Sequence, residues 1–195
     1  MCGFFFLFDV FCLLAILMRK VIVGHSWVRR LEELYLLPHA EFSCLGYGGA
    51  TFSSLASRLE HLKPNPAVEV VFVFAGSNDL DDVSTTAEVN SVFLEVGKLE
   101  GVLQTVFPNA KIVFGQVEDR YQFDHKENPS ALLDLFKRKS NKYNKWLNKW
   151  VKKNHLFVLK GANGFSDPSL YARDGVHLNF DGNVKLAQKL KNFVI

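Results

Sequence analysis

Five short runs along the chain, at residues 20–23, 41–45, 68–75, 111–114 and 155–159, are dominated by apolar side chains. That is the pattern of strands buried on both faces. The run "VEVVFVFA" at 68–75 is the strongest, nearly continuous and rich in β-branched residues. Between the runs the period lengthens to that of an amphipathic helix. In 26–37, Trp27, Val28, Leu31, Leu34 and Tyr35 share one side, Arg29, Arg30, Glu32 and Glu33 the other, and Pro38 marks the stop. In 51–62 the apolar side is Phe52, Leu55, Leu59 and Leu62. In 84–107 it is Val89, Val92, Phe93, Val96, Leu99, Val102, Leu103 and Val106. Two further helices are predicted over 130–154 and 179–193, while 76–82 and 116–129 read as loops. Strands and helices that alternate in this way predict one five-stranded parallel sheet, an α/β fold with helices on both faces.

Composition narrows the picture. A chain of 195 residues is the size of one domain with a full core. A net charge of +3 is too mild to imply nucleic acid as a partner. Cys2, Cys12 and Cys44 offer neither a CxxC nor a pairing pattern. They argue against a disulfide framework or zinc cluster, and for a reducing, cytoplasmic setting of the folded domain. Residues 1–18, "MCGFFFLFDVFCLLAILM", differ from the rest. The segment is shorter than a span of about 20 apolar residues, and it lacks the basic start and small-residue cleavage site of a signal peptide. It is expected to lie outside a domain covering 19–195. Two readings stand for it: a short anchor giving membrane association, and a misassigned start of the coding region.

In an open parallel sheet, ligands bind beyond the carboxyl ends of the strands. Four segments expected there, or closing the sheet, carry an unusual choice of residues: Gly24-His25-Ser26, Gly46-Tyr47-Gly48-Gly49, Gly76-Ser77-Asn78-Asp79 and Asp174-Gly175-Val176-His177. Each alone is unspecific. Together they supply an acyl-transfer site. A serine hydroxyl becomes a nucleophile when a neutral imidazole accepts its proton. Ser26 and His177 fill those roles, and Asp174, three residues earlier, can fix the imidazole tautomer. The oxyanion needs aimed donors. The backbone N–H groups of Ser26, at a helix N-terminus, and of Gly49 supply two, and the Asn78 amide a third.

With these residues in order, the chain resembles the SGNH hydrolases, the GDSL-type esterase and lipase superfamily. "VIVGHS" around Ser26, "GYGGAT" around Gly49, "AGSND" around Asn78 and "DGVH" with Asp174 and His177 match its blocks over roughly residues 19–195. The resemblance implies a flavodoxin-like three-layer α/β/α fold. It also implies hydrolysis of small-molecule or lipid esters through an acyl-enzyme, with no metal or cofactor. One departure stands out. The family's first block usually reads Gly-Asp-Ser, whereas position 25 is His25. Adjacent side chains on a tight turn diverge, so His25 is expected at the rim or in a structural role rather than as the base. Loss of the aspartate is expected to remove hydrogen bonding that supports the turn.

Other readings fit less well. The α/β-hydrolase elbow GxSxG needs glycine where Val28 stands. A dinucleotide fingerprint needs a third glycine where Thr51 stands. Asp79, Asp81 and Asp82 read as a solvated turn, not a metal site. His39, His61 and His155 read as surface or boundary residues. The segment "KRKSNKYNKWLNKWVKK" holds eight basic and no acidic residues. It reads as a core-packed helix with a lysine-covered surface. Its functional alternative is a catalytically silent domain of the same fold, binding a partner, nucleic acid or membrane through that helix. Arg120, Tyr121 and His125, after the fourth strand, are expected to wall the pocket.

Overall fold

Each apolar run becomes a strand: β1 (Lys20–Gly24), β2 (Phe42–Gly46), β3 (Val70–Phe74), β4 (Lys111–Gly115) and β5 (Phe157–Leu159). The computed structural model describes residues 20–122, 129–160 and 165–193; the segment 1–18 and His125 lie outside them. All strand pairings are parallel, in the order β2-β1-β3-β4-β5. Parallel neighbours need long crossovers, and helices supply them: α1 (Ser26–Glu33), α2 (Phe52–Leu59), α3 (Ser77–Asp82), α4 (Val89–Val106) and α5 (Pro129–Lys153), while α6 (Phe180–Lys191) follows the last strand.

The period of two along each strand divides the core. Val21, Val23, Val71, Val73, Ile112 and Phe114 pack in a cluster with residues of α2, α4 and α5. Ile22, Phe72, Phe74 and Val113 pack in a second cluster with residues of α1 and α6. This is the expected three-layer α/β/α arrangement with flavodoxin-like strand order. The order reverses at β1, so a crevice opens between the carboxyl ends of β1 and β3. Gly24-His25-Ser26 and Gly76-Ser77-Asn78 leave the sheet there.

The boundaries differ where tertiary contacts outweigh local pattern. α1 ends at Glu33, not at Leu37. Tyr35 takes φ 50°, and the N–H groups of Tyr35 and Leu36 return to the carbonyls of Glu32 and Leu31. This is a Schellman closure with tyrosine where glycine is usual. α5 closes similarly: His155 has φ 56° and the Leu156 N–H donates to the Val151 carbonyl at 2.9 Å. A left-handed conformation costs a side-chain-bearing residue about 1 kcal/mol or more. His155→Gly should therefore stabilise the protein by roughly 0.5–1 kcal/mol, part of the relief being offset by the greater freedom of an unfolded glycine. A thermal melt checks this, as an expected rise in Tm of about 1–4 °C.

The expected loop 76–82 is a helix, α3, and the helix expected from 84 begins only at Val89. Ser84–Glu88 is a turn because side chains take over its backbone hydrogen bonds. Glu88 Oε2 accepts from the Ser84 N–H at 2.8 Å, and Thr85 Oγ1 accepts from that of Glu88 at 3.4 Å. A six-residue helix does not stand alone in water. α3 is clasped from α5 instead: the Lys139 ammonium donates to the carbonyls of Leu80 and Val83. Lys142 reaches the Thr86 carbonyl at 2.7 Å. Lys139 is only 4% exposed, so the basic helix is not simply lysine-covered. Two of its cations hold the chain that follows the third block.

Candidate active site

β1 delivers Ser26 to the crevice. The ladder continues one residue past the strand, with the His25 N–H donating to the Phe74 carbonyl at 3.0 Å. Ser26 is then the first residue of α1, so its N–H belongs to the unpaired first turn of a helix. His25 is the N-cap: its Nδ1 accepts the Trp27 N–H at 3.3 Å. This corrects the expectation that the turn lacks side-chain support. Histidine supplies the acceptor that serine, threonine, asparagine or aspartate usually gives. With Nδ1 accepting, the neutral ring carries its proton on Nε2. Burial first, then the charges of His177 and Arg120, push the pKa of His25 down to about 4. His25 is neutral at physiological pH.

Gly49 adopts φ 69°, and nothing lies within 4 Å of where its Cβ would be. The backbone conformation calls for glycine there, and an open approach to the chain follows. Thr51 opens α2 with a capping box to Ser54. The second and third blocks are bolted together. The Asn78 amide donates to the Ala50 carbonyl at 2.9 Å, which identifies Nδ2 and leaves its second hydrogen for another acceptor. Both Asp79 oxygens accept the Phe52 N–H, at 3.0 and 3.3 Å. Desolvation pushes Asp79 up to about 6, those hydrogen bonds opposing it. Asp79 is thus a buried strut. Asp81 is paired with Arg120 at 2.7 Å and, like Asp82, is exposed, so the trio lies on a helix rather than in a turn, with Asp79 buried and the other two solvated.

On the closing loop, Asp174 Oδ2 meets His177 Nδ1 at 2.7 Å. Asp174 Oδ1 accepts the N–H groups of Val176 and His177, each at 2.9 Å. Partial burial works against the charge of Asp174, but these bonds and the His177 ring hold its pKa down to about 2. The loop is anchored on both sides. The Trp27 indole N–H donates to the Val176 carbonyl at 3.1 Å, joining the neighbour of Ser26 to the neighbour of His177. The Tyr121 N–H donates to the Gly175 carbonyl at 2.9 Å. Gly175 has φ 63°, and a Cβ there would lie 2.5 Å from the Gln122 backbone nitrogen.

Ser26, Gly49, Asn78 and His177 all line one cavity of about 280 Å³, with His25 and Arg120 on its wall. Among the described residues no hydrogen bond joins Ser26 to His177, a bond that such sites often complete only around substrate. Tyr121 does not line this cavity. Its hydroxyl donates to the Phe165 carbonyl at 3.3 Å, and it acts through the loop instead. Sequence reading missed Trp27 as a tether and Glu118 and Asp119 as cavity wall. Burial pushes Glu118 up to about 7, with Lys189 pulling it down and Asp119 adding to the rise.

Against known proteins, the model of the GDSL-like lipase/acylhydrolase family matches residues 21–185. A GDSL-like lipase from Bacteroides thetaiotaomicron is 16% identical with a TM-score of 0.64, covering 89% of this chain and 86% of its own. A member of the lipolytic G-D-S-L family from Veillonella parvula is 17% identical with a TM-score of 0.61, covering 90% and 98%. The acetyl xylan esterase AlAXEase is 20% identical with a TM-score of 0.61, covering 90% and 100%. At these identities the solved structures speak for the fold. No curated protein matches the chain.

Proposed function

The chain belongs to the GDSL-like lipase/acylhydrolase family, and on that premise we propose that it is a serine esterase hydrolysing small carboxylic esters through an acyl-enzyme. One observation carries the reading: the Asp174–His177 couple is tied, through Val176 and Trp27, to the helix that begins at Ser26. Asp174 keeps a proton on His177 Nδ1, so the Nε2 lone pair can take the proton of Ser26 as Oγ attacks the ester carbonyl. The N–H groups of Ser26 and Gly49 and the second Asn78 hydrogen receive the oxyanion. His177 returns its proton to the leaving alcohol, and water then repeats the sequence on the acyl-enzyme.

A cavity of about 280 Å³ is at the small end for organic ligands, which favours short acyl groups. The silent-domain alternative loses ground, since Lys139 and Lys142 are committed inside the fold. Turnover of p-nitrophenyl esters from acetate to palmitate tests the proposal. The shortest esters should be hydrolysed fastest, and Ser26→Ala should abolish the reaction. Asn78→Ala should lower kcat by about 10²–10³-fold, the effect of losing one oxyanion donor. Folded protein that hydrolyses none of the esters would overturn the reading.

A further inference from the structure

A second cleft, of about 300 Å³, runs beside α3 and the start of α5. Val83, Leu132, Leu135 and Phe136 give it an apolar side, while Asp82, Ser84 and Lys139 give it a polar one. Asp81 lines both this cleft and the catalytic cavity. Arg120 lines the catalytic cavity, and its guanidinium lies 4.5 Å from the centroid of the Phe136 ring. The Arg120–Asp81 pair therefore stands between the two spaces. It is firmly held. Arg120 donates to Asp81 Oδ2 at 2.7 Å, to the Ser77 carbonyl at 3.2 Å and to Ser77 Oγ at 3.0 Å. Its side chain is only 7% exposed. A planar guanidinium pinned at its edges and stacked on an aromatic face is a rigid partition.

The chemistry decides which half of an ester meets this partition. His177 protonates the leaving alcohol, so the alcohol lies toward the His177 loop. An acyl group directed away from it along α3 would pass Asn78 near one end of that helix and reach Asp81 about one turn, or roughly 5 Å, further on. On that path an acetyl or propionyl group would end before Asp81, and a longer chain would meet Arg120, which Asp81 holds.

We propose that Arg120, pinned by Asp81, limits this esterase to short acyl groups, and that the cleft behind it is the space a fatty acyl chain enters once the pin is removed. The inference rests on the esterase reading. Its test is the ratio of kcat/KM for p-nitrophenyl octanoate to that for the acetate. Each methylene newly buried contributes about fourfold, so Arg120→Ala should raise the ratio roughly tenfold or more. Asp81→Ala, which unpins Arg120 without removing it, should shift the ratio in the same direction by less, and it carries the test if Arg120→Ala does not fold. Adding Leu135→Trp to either variant fills the cleft and should return the ratio toward wild type. A ratio that stays put in both single variants, or that rises but ignores Leu135→Trp, overturns the proposal. Wild-type protein that hydrolyses no ester and takes no fluorophosphonate on Ser26 defeats the esterase reading instead, so the two failures are distinguishable.

Discussion

His177→Ala should lower ester turnover by on the order of 10⁴-fold or more and remove nearly all covalent labelling of Ser26 by a fluorophosphonate. The reason lies in the chemistry of the hydroxyl. Without an imidazole to take its proton, serine is too weak a nucleophile at neutral pH. In the proposed mechanism His177, paired with Asp174 at 2.7 Å, is the ring that takes this proton. His25, though adjacent to Ser26 in sequence, has Nδ1 committed to the Trp27 N–H and offers only a donor on Nε2. It cannot substitute as a base without giving up the helix cap. Retained labelling in His177→Ala would show that another group activates Ser26. Because His177 is 32% exposed on a loop held by backbone bonds, the variant should fold, which a melt can verify.

The sheet was legible because strands buried on both faces leave uninterrupted apolar runs. The four site segments were legible because each occupies a predicted strand end or the entry to the last helix. What stayed hidden depends on partners distant along the chain. α3 is acidic and short, and its carbonyls are capped by Lys139, 59 residues on from Leu80. The link between Ser26 and His177 runs through a Trp27–Val176 bond spanning 149 residues. One signal was available: an indole buried in the first turn of a helix needs an acceptor, and its own helix offers none. The same logic applies to Glu118 and Asp119. They follow β4 at the carboxyl edge, where the strand-end rule already pointed. His25 departed from the expected residue yet performs a capping task, because acceptor geometry, not charge, is what the first turn of α1 requires.

Asp174→Asn should cost nearly as much activity as loss of the histidine, up to about 10⁴-fold in kcat, while leaving the fold intact. The geometry makes this substitution specific. The substituted amide keeps an oxygen where Oδ1 accepts the N–H groups of Val176 and His177 at 2.9 Å, so the loop stays closed. The other oxygen, 2.7 Å from His177 Nδ1, is replaced by an NH₂ group. Two donors cannot face one another, so His177 must present a lone pair at Nδ1 and carry its proton on Nε2. That tautomer turns a donor toward Ser26 and cannot accept the hydroxyl proton. Asp174→Ala would lose the loop bonds as well, and the pair of variants separates orientation from folding. A pH signature accompanies the change. The carboxyl of Asp174 is held down to about 2 in the folded protein, against about 4 for a free aspartate. Its stabilising contribution is therefore complete above pH ~4 and lost as pH falls through ~2. An amide does not titrate, so acid unfolding of the variant should be less steep across that window. The shift should be small, because the side chain is 50% exposed. Full activity in a folded Asp174→Asn protein would remove Asp174 from the mechanism and leave it a loop residue only.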